Sequence, residues 1–299
     1  MTALRLLPLL LLFPLTLLCA ADPAMKDVVY STAGDQKLKL DVFFPAGHEP
    51  GKSAARPAVL CIHGGAWRAG SKADMAPFAQ AFTEKGLVSV CISYRLFDPA
   101  KRPENVWPAQ YDDAQRAVRW MRANAGTLGI DPQRIAALGA SAGGHLVALL
   151  GTTDTRPGAE KAYAEHSSRV NAVVDVFGPT DLTQDFSALR IGTVSVQSLV
   201  DDFIGTKKPA DQVKAEQKEA SPALQIDSKT VPFLIFHGDK DTIVPVEQSR
   251  LMERALKKAG LPVTYVEFKD EGHGLGGKGN LDRFKSETAA FLEKSLGTK

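Results

Sequence analysis

The segment from Ile135 to Leu150 limits the possible folds more than any other part of the chain. Ile135-Ala136-Ala137-Leu138 reads as a buried strand and Leu146-Val147-Ala148-Leu149-Leu150 as a buried helix, with only Gly139-Ala140-Ser141-Ala142-Gly143-Gly144-His145 between them. A strand that turns into a helix over so short a span leaves no room for a Cβ beside the turn. Glycines therefore flank the serine, and its hydroxyl is pushed out over the sheet edge. The helix that follows aims its first N–H groups and the positive end of its dipole at the same point. Ser141 is thus a candidate nucleophile and Ala142, directly after it, a candidate donor to an oxyanion. The five-residue pattern alone is equally a small-residue turn without chemistry; strand and helix in this order favour the nucleophile.

Apolar runs along the rest of the chain alternate with helical patterns, which predicts an α/β fold: a mostly parallel sheet with helices on both faces. The expected strands are Asp27 to Ser31, Lys37 to Phe44, Ala58 to Ile62, Val88 to Tyr94, Ile135 to Gly139, Ala172 to Phe177, Phe233 to Phe236 and Val263 to Phe268, eight in all. The first two are too close for a helical crossover, and Lys37-Leu38-Lys39-Leu40 alternates polar with apolar, so they form an antiparallel edge. Ala114, Ala117, Val118 and Met121 make one inward helical stripe, closed by Gly129 and Asp131-Pro132; Leu281, Phe284, Thr288, Phe291 and Leu292 make another. Two stretches break the rhythm: 152–170, polar and loop-like, and 184–230, mixed and partly helical. The second is a candidate lid insertion, since insertions at the carboxyl edge of such sheets commonly shape the substrate pocket. No internal repeat or low-complexity tract is present.

At 299 residues and 44% apolar content the chain can bury one large core, and a net charge of +2 leaves no footprint for nucleic acid. Residues 1–21 read as an export signal: Arg5, an apolar run from Leu6 to Leu18, then the small residues Cys19-Ala20-Ala21. The expected product is a secreted or periplasmic single α/β domain of residues 22–299. Cys19 also offers a lipid-anchor site, although Leu18 stands where such signals carry a small residue. No later stretch approaches the roughly 20 apolar residues of a membrane-spanning helix. Cys61 and Cys91, both inside apolar runs, are expected as buried thiols; an oxidising compartment would join them only if their side chains face each other. No C-x-x-C, H-E-x-x-H or similar spacing occurs, so no metal or other cofactor is implied.

A serine hydroxyl needs a base, and the base needs an orienting group. His273 lies in Glu271-Gly272-His273-Gly274-Leu275-Gly276-Gly277, a flexible loop after the last strand that can carry an imidazole over the sheet edge. His48, His145 and His166 sit in polar or helical contexts and are expected at the surface. For the acid, Phe236-His237-Gly238-Asp239-Lys240-Asp241-Thr242-Ile243-Val244-Pro245 follows the penultimate strand. Asp241 is the choice, with Asp239 bonding backbone in the turn, His237 a structural strand-end residue, and Asp181 a second candidate from the preceding strand end. After the third strand, Ile62-His63-Gly64-Gly65-Ala66-Trp67 supplies Gly64, Gly65 and Ala66 as oxyanion donors alongside Ala142; losing one such donor typically costs about 2.7–4 kcal/mol of barrier stabilisation. His63 braces that loop. Trp67 is a candidate pocket wall, with a packed core tryptophan the alternative.

The chain order Ser, Asp, His, with HGGAW at 63–67, WPAQYDDAQRAVRWMRANA at 107–125, GIDPQRIAALGASAGGHLVALLG at 129–151, PFLIFHGDKDTIVPVEQS at 232–249 and EGHG at 271–274, resembles the esterase branch of the α/β-hydrolase superfamily. Within it, the group containing feruloyl and acetyl-xylan esterases is most similar. Ala66 departs from the pattern, since many relatives have glycine there; an alanine N–H still donates, so only the loop's backbone is affected. The resemblance implies an α/β-hydrolase fold and a serine carboxylesterase acting through an acyl-enzyme on small-molecule or carbohydrate esters. Kynurenine formamidases and lipid-ester hydrolases share the HGG-W and G-x-S-x-G signatures, so a formamidase, another amidase or a short-chain lipid esterase is the alternative enzyme. A catalytically dead hydrolase-fold binding protein is the non-enzyme alternative. A dinucleotide site at Gly139 to Gly144 is excluded, because Ser141 replaces the second glycine that G-x-G-x-x-G requires.

Overall fold

Residues of the central strands alternate strictly between two cores, one on each face of a single sheet. Leu60 and Ile62 join one, Val59 and Cys61 the other. The computed structural model describes residues 22–297; the expected export signal, Cys19 included, lies outside them.

The chain opens with β1 (Met25–Ala33), β2 (Gln36–Phe43) and β3 (Arg56–Ile62), then α1 (Ala76–Thr83) and β4 (Val88–Ile92). Next come α2 (Ala109–Ala123), α3 (Ala125–Leu128), β5 (Ile130–Ala140), α4 (Ala142–Thr152) and β6 (Ala172–Val176). An insertion follows, with the short hairpin β7 (Arg190–Ile191) and β8 (Val194–Ser195) and the helices α5 (Val196–Ile204) and α6 (Ala210–Glu219). The chain then completes the sheet with β9 (Phe233–Gly238), α7 (Glu247–Lys258), β10 (Val263–Phe268) and α8 (Asn280–Leu296).

The eight long strands form one sheet in the order β1-β2-β4-β3-β5-β6-β9-β10. Only β2 runs against the rest, pairing antiparallel with β1 and β4, so the expected antiparallel edge is present. β5 starts at Ile130, five residues before the expected start, with a register shift against β3 between Arg56/Ile130 and Ala58/Ile135. One core packs α2, α4 and α7 on one face through Val118, Leu146 and Met252; the other packs α1 and α8 through Phe82 and Phe284. Cys61 and Cys91 are register partners on β3 and β4, on the same face, and both are buried free thiols.

The stripe of α2 is buried as expected, and so are its arginines, because they hold the polar stretch 152–170 in place. Arg119 Nη1 donates to the Glu160 carbonyl at 3.0 Å and Arg122 Nη2 to that of Arg169 at 2.8 Å, while Arg116 pairs with the Glu160 carboxylate. Among the described residues no helix is long and apolar enough to cross a membrane.

Candidate active site

Ser141 follows β5, Asp241 follows β9 and His273 follows β10, so all three leave the carboxyl edge of the sheet, with β6 between the first two. This is the edge where open α/β sheets carry their ligand sites. Ser141 adopts φ 56°, ψ −121°, a strained conformation for a residue with a Cβ. The turn tolerates no substituent two residues to either side of it: a Cβ on Gly139 would lie 2.3 Å from the Gly143 carbonyl oxygen, and one on Gly143 would lie 2.1 Å from that of Ile62. The glycines are therefore set by backbone packed on backbone, as the sequence pattern predicts.

Asp241 and His273 meet. His273 Nδ1 donates to Asp241 Oδ2 at 2.6 Å, which leaves Nε2 as the nitrogen carrying the lone pair. Nε2 is buried and has no hydrogen-bond partner, so Ser141 Oγ is not hydrogen-bonded to it in this structure. Asp241 Oδ1 accepts from the Ile243 and Val244 N–H groups at 2.8 and 3.0 Å. Burial would raise the Asp241 pKa, but hydrogen bonds from His237 and His273 outweigh it and hold the carboxyl well below the usual range.

His237 does more than end a strand. Its Nε2 lies 3.1 Å from Asp241 Oδ2 and 2.9 Å from the Val244 carbonyl, both acceptors, so Nε2 carries the proton and Nδ1 accepts from Ser249 Oγ at 2.7 Å. The other acids stand apart. Asp239 Oδ1 accepts from the Asp270 N–H at 2.6 Å, tying the β9 and β10 turns together, and Asp181 caps Thr183 and Gln184.

Gly65, Ala66 and Ala142 line one narrow cavity with Ser141, whereas Gly64 sits behind it: a Cβ there would come 2.8 Å from the Ala140 carbonyl and 3.3 Å from Ser141 Cβ. Ala66 and Trp67 both take positive φ, 52° and 57°, so the departure at Ala66 places an alanine in left-handed backbone. His63 Nδ1 donates to the Gly64 carbonyl at 2.8 Å and stacks on Tyr94, bracing the loop as expected; burial, only partly opposed by that hydrogen bond, lowers its pKa to about 4.

Trp67 lines the cavity and is packed against Phe203 of α5 with ring centroids 4.2 Å apart. Against expectation, His145 is fully buried and His48 nearly so, while His166 is half-buried. The cause is a pair of long-range bonds: His145 Nε2 donates to the Ala220 carbonyl at 2.7 Å and His48 Nε2 to that of Leu128, at the end of α3, at 2.9 Å. Burial lowers the His145 pKa to about 4, with the Ala220 carbonyl opposing it.

The segment 184–230 contributes Phe186, Ile191, Val196, Leu199 and Val200 to the cavity, which measures about 40 Å³. It is tied down by the His145 bond, by Arg68 Nη1 to Asp202 Oδ2 at 3.0 Å, and by the Trp107 N–H to the Phe203 carbonyl at 2.6 Å. None of these wall residues was singled out from the sequence, although Val196, Leu199, Val200 and Phe203 recur at i, i+3, i+4 and i+7.

The sheet order, with a serine, an aspartate and a histidine leaving its carboxyl edge, is that of the α/β-hydrolase fold. The BD-FAE family model matches residues 40–256, and the chain belongs to that family. It is 31% identical over 251 residues to esterase LipQ of Mycobacterium tuberculosis and 32% over 242 residues to the probable carboxylic ester hydrolase LipM of the same organism. The alignments cover 83% and 80% of this chain but 56% and 54% of those proteins, so the chain spans about half the length of these relatives. A butyrate-bound thermophilic esterase, Est2 of Thermogutta terrifontis, is similar over 92% of this chain and 95% of its own, with 31% identity and a TM-score of 0.75. A truncated carbohydrate esterase from gut microbiota is similar over 91% and 95%, with 27% identity and a TM-score of 0.74.

Proposed function

We propose that this chain hydrolyses small carboxylic esters through a covalent acyl-enzyme formed on Ser141. The observation that carries the reading is the Asp241–His273 hydrogen bond of 2.6 Å, which leaves the far imidazole nitrogen unengaged. His273 Nε2 takes the Ser141 proton as Oγ attacks the ester carbonyl, and Asp241 fixes the tautomer and stabilises the imidazolium. Catalytic hydrogen bonds often tighten only when substrate binds, and the Ser141 Oγ to His273 Nε2 bond is one of these. The tetrahedral oxyanion is held by the N–H groups of Ala142, Gly65 and Ala66; Gly64 supports them from behind. Collapse expels the alcohol with the proton from His273, and a water activated by the same nitrogen releases the acid.

The narrow apolar wall favours acyl groups of two to four carbons, on acetylated carbohydrates or other small alcohols, over a bulky feruloyl group. The propionate- and butyrate-bound forms of Est2 support the same size class. A formamidase, amidase or short-chain lipid esterase uses the same machinery and is distinguished by substrate. We further propose that residues 1–21 direct export, on the strength of Arg5, the Leu6 to Leu18 run and Cys19-Ala20-Ala21, and that 184–230 acts as the lid over the cavity.

A hydrolysis panel of acetylated xylan, feruloylated sugars, aryl esters of increasing chain length and formyl-kynurenine tests the reading, with Ser141→Ala as control. Short aryl acetates are expected to turn over and the variant to be inert. Residual activity of the variant within tenfold of the parent means another nucleophile. Cell fractionation with N-terminal sequencing of the mature protein tests export.

A further inference from the structure

We propose that Asp175 is a positioning residue for the base: by holding the Gly178 N–H, it fixes the turn after β6 that keeps Phe177 against the His273 imidazole. The inference rests on the reading of His273 given above. Asp175 lies wholly buried in β6, in register with Gly139 of β5 and Ile235 of β9. Its Oδ1 accepts from the Gly178 N–H at 2.9 Å, three residues on, closing a turn over the intervening residues.

That carboxyl is wedged between two backbones. A Cβ on Gly144, in the first turn of α4, would lie 2.4 Å from Asp175 Oδ1; a Cβ on Gly178 would lie 2.6 Å from Oδ1 and 2.6 Å from the His145 nitrogen. The turn after β6 therefore rides directly on the helix that starts at the nucleophile, with Asp175 at the point of contact.

Phe177, inside this turn, has φ 46°, a left-handed conformation that bulky side chains rarely adopt and that surrounding bonds must impose. Its N–H donates to the Phe236 carbonyl at 2.8 Å, and its fully buried ring lies 4.4 Å from the His273 ring and 6.3 Å from the His237 ring, centroid to centroid. Phe177 is thus a platform beside both imidazoles that donate to Asp241. Without an acceptor at Asp175, the buried Gly178 N–H loses its partner and Phe177 relaxes toward negative φ, taking its ring away from His273.

Stability alone does not account for an acid here. Asp175 Oδ2 is buried without a hydrogen-bond partner, and burial, opposed by the Gly178 N–H, pushes the carboxyl up to about 6. The side chain is retained at an energetic disadvantage, which is the pattern of a residue held for geometry at a site.

The test compares Asp175→Ala with Asp175→Asn, which keeps an acceptor of the same reach. Active sites are counted with an aryl phosphonate that labels Ser141, kcat and KM are measured on an aryl acetate, and thermal midpoints are recorded in parallel. Asp175→Ala is expected to lower kcat per titrated site at least tenfold with KM within twofold, and Asp175→Asn to keep at least a third of the parent kcat. A merely structural role lowers the midpoint and leaves kcat per titrated site intact; that result overturns the proposal, as does an Asp175→Asn loss equal to that of Asp175→Ala. If Asp175→Ala does not fold, Phe177→Ala carries the same expectation of a tenfold lower kcat at unchanged KM, and a parent-like kcat there overturns it. A parent enzyme that neither takes the phosphonate nor turns over the ester refutes the hydrolase reading itself, and the inference falls with it.

Discussion

His237 and His273 donate to the same oxygen of Asp241, at 3.1 and 2.6 Å, one from the end of β9 and the other from the loop after β10. With the Ile243 and Val244 N–H groups on the other oxygen, the carboxylate has four donors for its roughly four lone-pair sites. It is locked as an anion and cannot rotate, so the His273 tautomer is fixed before any substrate arrives. Asp241→Asn places an amide where two imidazole donors point and reverses the tautomer preference, which in a related serine triad lowers kcat by about 10⁴. A loss of about 10³ to 10⁴ in kcat at neutral pH is expected here, against a milder loss of about tenfold for His237→Ala, which removes one donor of four. Steady-state kinetics on an aryl acetate check both.

Acid destabilisation follows from histidines outside the proposed triad. His63 and His145 are held neutral by burial, with pKa values of about 4 against 6.5 unfolded. The unfolded chain therefore binds protons that the native one refuses, and their contribution is complete above pH 6.5 and lost as pH falls toward 4, by up to about 3 kcal/mol each. Asp175 has the opposite sign: raised to about 6 by burial, it takes up its proton earlier in the native state and returns up to about 3 kcal/mol over pH 6 to 4. The net expectation is a loss of about 3–4 kcal/mol between pH 6.5 and 4. Urea midpoints at pH 7, 5.5 and 4 check it, and a flat profile contradicts it.

The inner strands β3, β4, β5, β6 and β9 were legible because buried strands in a parallel sheet are short apolar runs between turn signals, and β2 because its polar and apolar residues alternate along an antiparallel edge. That Asp241 and His273 meet could be expected from the sequence because an orienting acid and a base call for particular side chains in a fixed chain order. The surroundings were not legible. His145 reads as a surface residue because its partner, the Ala220 carbonyl, lies 75 positions away and is a backbone group that leaves no trace in side-chain pattern. Phe177 reads as the end of a strand, since nothing in its neighbours announces a positive φ; the groups that surround it, the Phe236 carbonyl and the His273 ring, come from distant parts of the chain. The cavity wall from 184–230 was hidden because its residues are apolar for packing and for binding alike.

Leu199 offers a way to separate those two roles. It is buried in α5 and faces the cavity beside Phe186 and Val200. Leu199→Ala is expected to lengthen the acyl pocket, moving preference from acetyl and butyryl toward hexanoyl aryl esters. The same change lowers stability by about 2–5 kcal/mol, as large-to-small core substitutions do. The ratio of kcat/KM values for two- and six-carbon esters is the diagnostic, since unfolding alone lowers both equally.

Two glycines predict opposite outcomes for the same substitution. In Gly143→Ala the new methyl would sit 2.1 Å from the Ile62 carbonyl oxygen and 2.7 Å from that of His63, so the α4 start must move away from the loop carrying Gly65 and Ala66. That shift pulls the Ala142 N–H off the oxyanion position, and the loss of one donor alone corresponds to about 10²–10³ in kcat. Gly126, in α3, meets nothing within 4 Å at the same test position and has no positive φ. Gly126→Ala therefore gains helix propensity and loses unfolded-chain entropy, and is expected to stabilise the protein by about 0.5–1 kcal/mol with kcat unchanged. Denaturant midpoints and kinetics on the two variants check the contrast, and an active, parent-like Gly143→Ala would show that the nucleophile turn is looser than its packing implies.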